Sequence, residues 1–169
     1  CSVSGRRIID FDYLFGRIKE ISSHNPTMGC TIYNCDIKSE KVFGLKSKFK
    51  IKCNMCHSEF SLCTDNPGNT AMDVNTASVA GAMAIGIGCS QLQEMFASME
   101  VPTMSAVTYS KYHDRVANAW EETALSEMKA AAEEETQHAI KEGRVTAEGF
   151  PILTVVADGS WSKRSYRTN

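Results

Sequence analysis

The sequence predicts an α+β protein: a small antiparallel β unit, then a mainly helical region, then a terminal β-strand or hairpin. Three observations carry that prediction. In GLKSKFKIKC, residues 44–53, Leu45, Ser47, Phe49 and Ile51 alternate with Lys46, Lys48, Lys50 and Lys52, the period of two that gives a strand one apolar and one lysine face. Residues 75–99 and 105–142 switch to helical spacing. PILTVVA, residues 151–157, is β-rich and apolar on both parities, as a strand buried on both faces would be. The predicted divisions are 1–65 for an N-terminal helix plus the β unit, 70–145 for the helical region and 150–169 for the terminal strand.

Each element has its own local warrant. Ile8, Phe11, Leu14, Phe15, Ile18 and Ile21 lie at helical spacing and predict an amphipathic helix or partly extended lead-in over 5–23, closed by Ser-Ser-His-Asn-Pro. EFSLC after the CNMC knuckle predicts a partner strand, and TIYNCDI before it a third. TDNPGNT, residues 64–70, is a boundary of turn-forming residues. VNTASVAGAMAIGI and SQLQEMFASM predict two short helices separated by Gly86 and Gly88, with Val101-Pro102 ending the second. A long helix follows from about Ser105 to Glu142, with room for a break and with Gly143 as its C-terminal stop.

Composition is that of an ordinary globular chain with a net charge of only −2, so nothing marks the whole molecule as a nucleic-acid or membrane binder. The charge is unevenly placed. Residues 38–52 hold six lysines against Glu40, whereas residues 94–142 hold ten acids and four bases. Such runs are commonly solvated faces. The longest weakly polar stretch, TASVAGAMAIGIGC, is too short and Gly-rich to span a membrane, so no membrane partner is expected. The start CSVSGRR resembles neither a signal peptide nor an initiator end, and both termini read as cut edges of something longer. Seven unevenly spaced cysteines argue against a disulfide framework and for a reduced, intracellular setting.

Four of those cysteines carry the strongest chemical pattern. Cys30-x4-Cys35 and Cys53-x2-Cys56 can place two pairs of thiolates on one tetrahedral Zn²⁺, as in a zinc-ribbon-like unit. A β unit this small needs such a staple. The first pair is wider than the usual spacing, and His24, His57 and Cys63 are substitute ligands close by. The alternative is a set of free thiols packed as small hydrophobes. Lys46, Lys48, Lys50 and Lys52 on one strand face could track the phosphates of double-stranded DNA. They could equally be the charged edge that keeps a strand from aggregating. The pair of helices at 75–99 reads as an αα-hairpin rather than a DNA-reading helix-turn-helix, because SQLQEMFASME has two acids and no Lys or Arg. His113 and His138 have no ligand-spaced partner and read as structural or exposed. Asp158, in ADGS, is both a hairpin signal and a carboxylate that a strand end could present to Mg²⁺.

A family resemblance joins these pieces. PILTVVADGSWSKRSYRTN resembles the opening of the catalytic domain in the Mutator-like transposases of animal genomes and the first strand of ribonuclease H-like folds. GRRIIDFDYLF, GLKSKFKIKCNMC, then VNTASVAGAMAIGIG with QLQEMFASMEVPTMS, precede it in the order of that family's N-terminal region, so the resemblance spans nearly the whole chain. It implies a DNA transposase or a domesticated descendant, working through an Asp-Asp-Glu triad with Mg²⁺ or Mn²⁺ in the nucleus. Carried over residue by residue, Asp158 is the first acid and CNMC the family's cysteine knuckle. The other two acids would lie beyond Asn169, so this chain alone is expected to be inactive, with homo-oligomerisation open. A non-enzymatic, zinc-stapled DNA- or protein-binding module derived from a transposase is the alternative.

Overall fold

A computed structural model of the chain describes residues 3–68 and 72–159. Helix α1 (Phe11–Ser22) begins where the Asp10 carboxylate accepts the Tyr13 amide, while residues 3–10 form the extended lead-in. Strands β1 (Cys35–Phe43), β2 (Lys46–Cys53) and β3 (Glu59–Cys63) make a three-stranded antiparallel meander with β2 in the centre. The expected alternation on β2 holds: Ser47, Phe49, Ile51 and Cys53 are buried while Lys48 and Lys50 are exposed. The segment expected as the first strand is split. Ile32–Asn34 form a short 3₁₀ turn, and β1 starts only at Cys35.

Helices α2 (Val74–Ile85) and α3 (Cys89–Ser98) form the αα pair, with Gly86 in the left-handed conformation closing the first. Helix α4 (Ala106–Lys141) is one unbroken helix of 36 residues, ending before Gly143, whose φ is 71°. The chain divides into two compact units within α4, Cys1–Ala119 and Trp120–Asn169.

The first unit has two cores. Leu45, Val79, Ala82, Leu92, Phe96, Met104 and Tyr109 build one between the helices and the tip of the β1–β2 hairpin. Ile21, Phe49 and Ile51 build a smaller one beneath the sheet, with Cys35 and Phe60 packed against it. The hairpin tip reaches the helices because Asn75, 1% exposed, reads its backbone. Its side-chain carbonyl accepts the Leu45 amide at 2.8 Å and its amide group donates to the Phe43 carbonyl at 2.9 Å. Gly44, at φ 64°, is required there, since a Cβ would sit 2.6 Å from the Asn75 Oδ1.

In the second unit the chain folds back after α4. The Arg144 amide donates to the Ala139 carbonyl, the Ile152 amide to the Arg144 carbonyl, and Val145 bridges Pro151. The apolar run that followed as an expected strand joins no ladder among the described residues, and Val155 and Val156 are exposed. A strand apolar on both faces forms only where neighbours cover both, and the Val145–Pro151 bridge and the Ile152–Arg144 hydrogen bond engage only the start of this run. The return half of the expected hairpin, from Ser160 onward, lies outside the described residues.

Candidate metal centre

Two loops converge at one end of the small core. The first carries His24 and Cys30 across a compact turn: Asn25 caps the 3₁₀ segment Pro26–Met28, Gly29 turns left-handed at φ 66°, and the Cys30 amide returns to the Asn25 carbonyl. The second is the CNMC knuckle at the end of β2. There the Cys53 amide donates to the Ser58 carbonyl, the Asn54 amide to the Asn34 carbonyl, and the Asn54 side chain to Asp36. His57 completes the knuckle with a left-handed φ of 61°. The ligand atoms of His24, Cys30, Cys53 and Cys56 all lie within 4.8 Å of one another. Sulfurs on one tetrahedral zinc would be about 3.8 Å apart, given metal–sulfur bonds near 2.3 Å, so the cluster has nearly the span of a closed site.

The imidazole of His24 is set for ligation. Its Nδ1 lies 2.7 Å from the Ile21 carbonyl, which can only accept, so Nδ1 carries the hydrogen and Nε2 keeps a lone pair. That Nε2 is buried and makes no hydrogen bond. An unsatisfied buried nitrogen facing thiols is costly, and a cation at the centre of the group relieves it. The Ile21 carbonyl, and after it the neighbouring Cys53 and Cys56, raise the His24 pKa.

The three sulfurs differ in their surroundings. The Ser58 hydroxyl, 3.2 Å from the Cys56 Sγ, and the Ser58 amide bring the Cys56 thiol down to about 6. Burial pushes Cys30 up to about 11. Burial also opposes the Cys53 thiolate, but the amides of Cys56 and Met55 outweigh it and lower that pKa. Three thiols and one imidazole can therefore hold a metal ion, and the donor set is compatible with zinc.

Cys35, the expected fourth ligand, lies outside this group. It stands opposite Cys53 in the β1–β2 register, packs on the Ile21–Phe49–Ile51 core, and turns its thiol toward the Thr31 carbonyl at 3.7 Å. The substitute ligand His24 joins the cluster, whereas His57 and Cys63 do not. All six described cysteines are free of disulfides.

The lysine face is less uniform than its sequence. Lys46 is paired with Asp73 at 2.5 Å, and Lys50 with Glu59 at 2.8 Å. Lys52 stands in register between Asp36 and Glu59. Lys48 stands opposite Lys41, and no ion pair engages either lysine among the described residues. Asp158 is exposed and outside regular structure. No helix among the described residues is long and apolar enough to cross a membrane.

The fold and site define a small β module, clasped by a thiol–imidazole cluster and docked through its hairpin tip onto helices. The model of the family described as Mutator-like transposase matches residues 5–169, and the chain belongs to that family. No curated protein and no solved structure matches it.

Proposed function

We propose that this chain is the metal-stapled N-terminal region of a Mutator-like DNA transposase together with the opening of its catalytic domain. The observation that carries the reading is the family match, whose bounds, residues 5–169, take in the helices, the thiol–imidazole cluster and Asp158. In this reading His24, Cys30, Cys53 and Cys56 hold a structural Zn²⁺, and Cys35 is a packing residue beside them. The sheet's lysine face contacts double-stranded DNA in the nucleus. Asp158 is the first of three acids that bind Mg²⁺ or Mn²⁺ for strand cleavage and transfer, the other two coming from outside residues 1–169.

One carboxylate cannot clamp two metal ions, so the 169-residue chain by itself binds but does not cut. Metal-dependent cleavage of duplex DNA by the purified chain, abolished by Asp158→Asn, would overturn that division of labour. In a longer protein that carries this region and cuts DNA, Asp158→Asn should abolish cleavage and leave duplex binding intact. Cleavage surviving there removes Asp158 from the catalytic set.

A second reading, a non-enzymatic binding module derived from a transposase, draws on one observation. The metal-ligand group among the described residues is the His/Cys one, and Asp158 is not a member of it. The two readings part on whether transposition by a longer protein needs Asp158.

A further inference from the structure

The four lysines of β2 do not offer equal charge to a partner. On their face of the sheet, cross-strand rows can be read from the register: Phe43–Lys46, Lys41–Lys48–Cys63, Ser39–Lys50–Ser61 and Asp36–Lys52–Glu59. Carboxylates occupy Lys46 and Lys50 through Asp73 and Glu59, and the Lys52 row carries an acid on either side. The Lys41–Lys48 row alone sets two like charges directly opposite each other with no acid in the row. Such a placement is destabilising in an empty sheet. Lys41 also holds its ammonium 5.0 Å from the centre of the Phe43 ring, which keeps it over the sheet. Beside this row is a shallow cleft of about 440 Å³ whose polar lining is Ser39, Lys41, Lys48, Lys50, Ser61 and Glu59, with Phe49 and Phe60 completing it. Two cations without a counterion among the described residues and two hydroxyl donors face it, and its one acid is already held by Lys50.

We propose that the Lys41–Lys48 pair and the Ser39 and Ser61 hydroxyls form a phosphate site that grips one backbone phosphodiester of duplex DNA. This rests on the DNA-binding reading above but narrows it. Lys41, on the neighbouring strand, enters the site, while Lys46 and Lys50 serve the fold through their carboxylates. A phosphodiester is the fitting anion because its two free oxygens can each accept from one ammonium and one hydroxyl. Both lysines serve the same phosphate, so they act as a unit.

The test is fluorescence anisotropy of the full chain with duplex DNA over a salt series, using Lys41→Gln, Lys48→Gln, the double variant, and a Lys41→Arg/Lys48→Arg control. Losing one phosphate contact lowers the slope of log affinity against log salt by about 1. Each single variant should lose about that much and the double variant no more, because the phosphate is shared. The arginine pair should restore the slope. Thermal midpoints should stay level or rise, since a like-charge pair is being removed. A double variant with the wild-type slope, or one losing twice the single loss, overturns the shared grip. If the wild type fails to bind duplex DNA even at low salt, the DNA reading fails. Pyrophosphate titrated against the labelled chain then decides the site: shifts at Lys41 and Lys48, lost in the double variant, sustain it as a site for free phosphate, and their absence ends it.

Discussion

The two cores of the first unit close themselves by different means. The helical core gathers Val79, Leu92, Phe96 and Tyr109 from three helices and adds Met104 from the loop before α4 and Leu45 from the hairpin tip. The core under the sheet has Ile21, Phe49 and Ile51, with Phe60 and Leu62 partly covering them. Burying a large apolar side chain is worth about 1.5–3 kcal/mol, so three such residues cannot offset the ordering of a module some forty residues long. The cluster of His24, Cys30, Cys53 and Cys56 sits beside the weaker core, where cross-linking two loops has the most to add. Apolar packing suffices where helices supply broad faces, and where a three-stranded sheet does not, the structure sets a cluster that could hold a metal ion.

That contrast can be broken most decisively by removing the metal proposed for the cluster. With the proposed zinc bound at ~10 kcal/mol or more, chelation or Cys53→Ser should unfold β1–β3 while leaving the helices largely intact. Hydrogen exchange read strand by strand checks this, and sheet amides as protected as those of α2 and α3 after chelation would refute it. Leu45→Ala should cost about 2–5 kcal/mol, and the loss should appear in the helices although the residue belongs to a β-turn. Thermal unfolding followed by helical circular dichroism measures it. Asn75→Ala should cost about 1–3 kcal/mol, because the Leu45 amide and the Phe43 carbonyl lose their buried partner. Denaturant unfolding should show that drop with zinc content unchanged.

The smallest effect concerns pH. Glu40 makes a bidentate pair with Arg7, at 2.6 and 2.7 Å, and that hydrogen bonding holds its carboxyl below the usual carboxylate range. A depressed folded-state pKa means stability that is present above the unfolded value, near 4.5, and lost as pH falls through the folded one. Glu40→Gln should therefore lower stability at neutral pH and flatten its decline below about pH 4.5. A wild-type decline of unchanged steepness in the variant would assign that acid sensitivity to other carboxylates.

Much of this architecture was legible from spacing alone. The alternation in GLKSKFKIKC set the faces of β2, and the glycines at 86, 88 and 143 marked helix ends that the structure keeps. Cys53 and Cys56 were legible because two ligands on one tight turn are adjacent in space wherever the chain goes. The first loop was harder. His24 and Cys30 come together only because Asn25, Pro26 and Gly29 close a turn between them, while the register across β1 and β2 sends Cys35 to the small core. Asn75 was hidden for a related reason. A polar residue in a helical pattern does not announce which distant backbone it will read. The run at 151–157 shows the converse limit, since its apolarity signals burial without naming the neighbours that would supply it.

Strand β2 ends in both of the contrasted regions at once. From Leu45, seated among the helices, to Cys53, in the metal cluster, the chain advances eight residues, roughly 27 Å of extended backbone. Mechanically it is a tie rod fixed at both ends, with its lysines on the free span between. Under the proposed function, a load applied to those lysines by a bound duplex would be shared between the thiol–imidazole cluster and a hydrophobic socket. Loosening either end would let the strand slip in register, and a slip of one residue would turn every lysine to the opposite face.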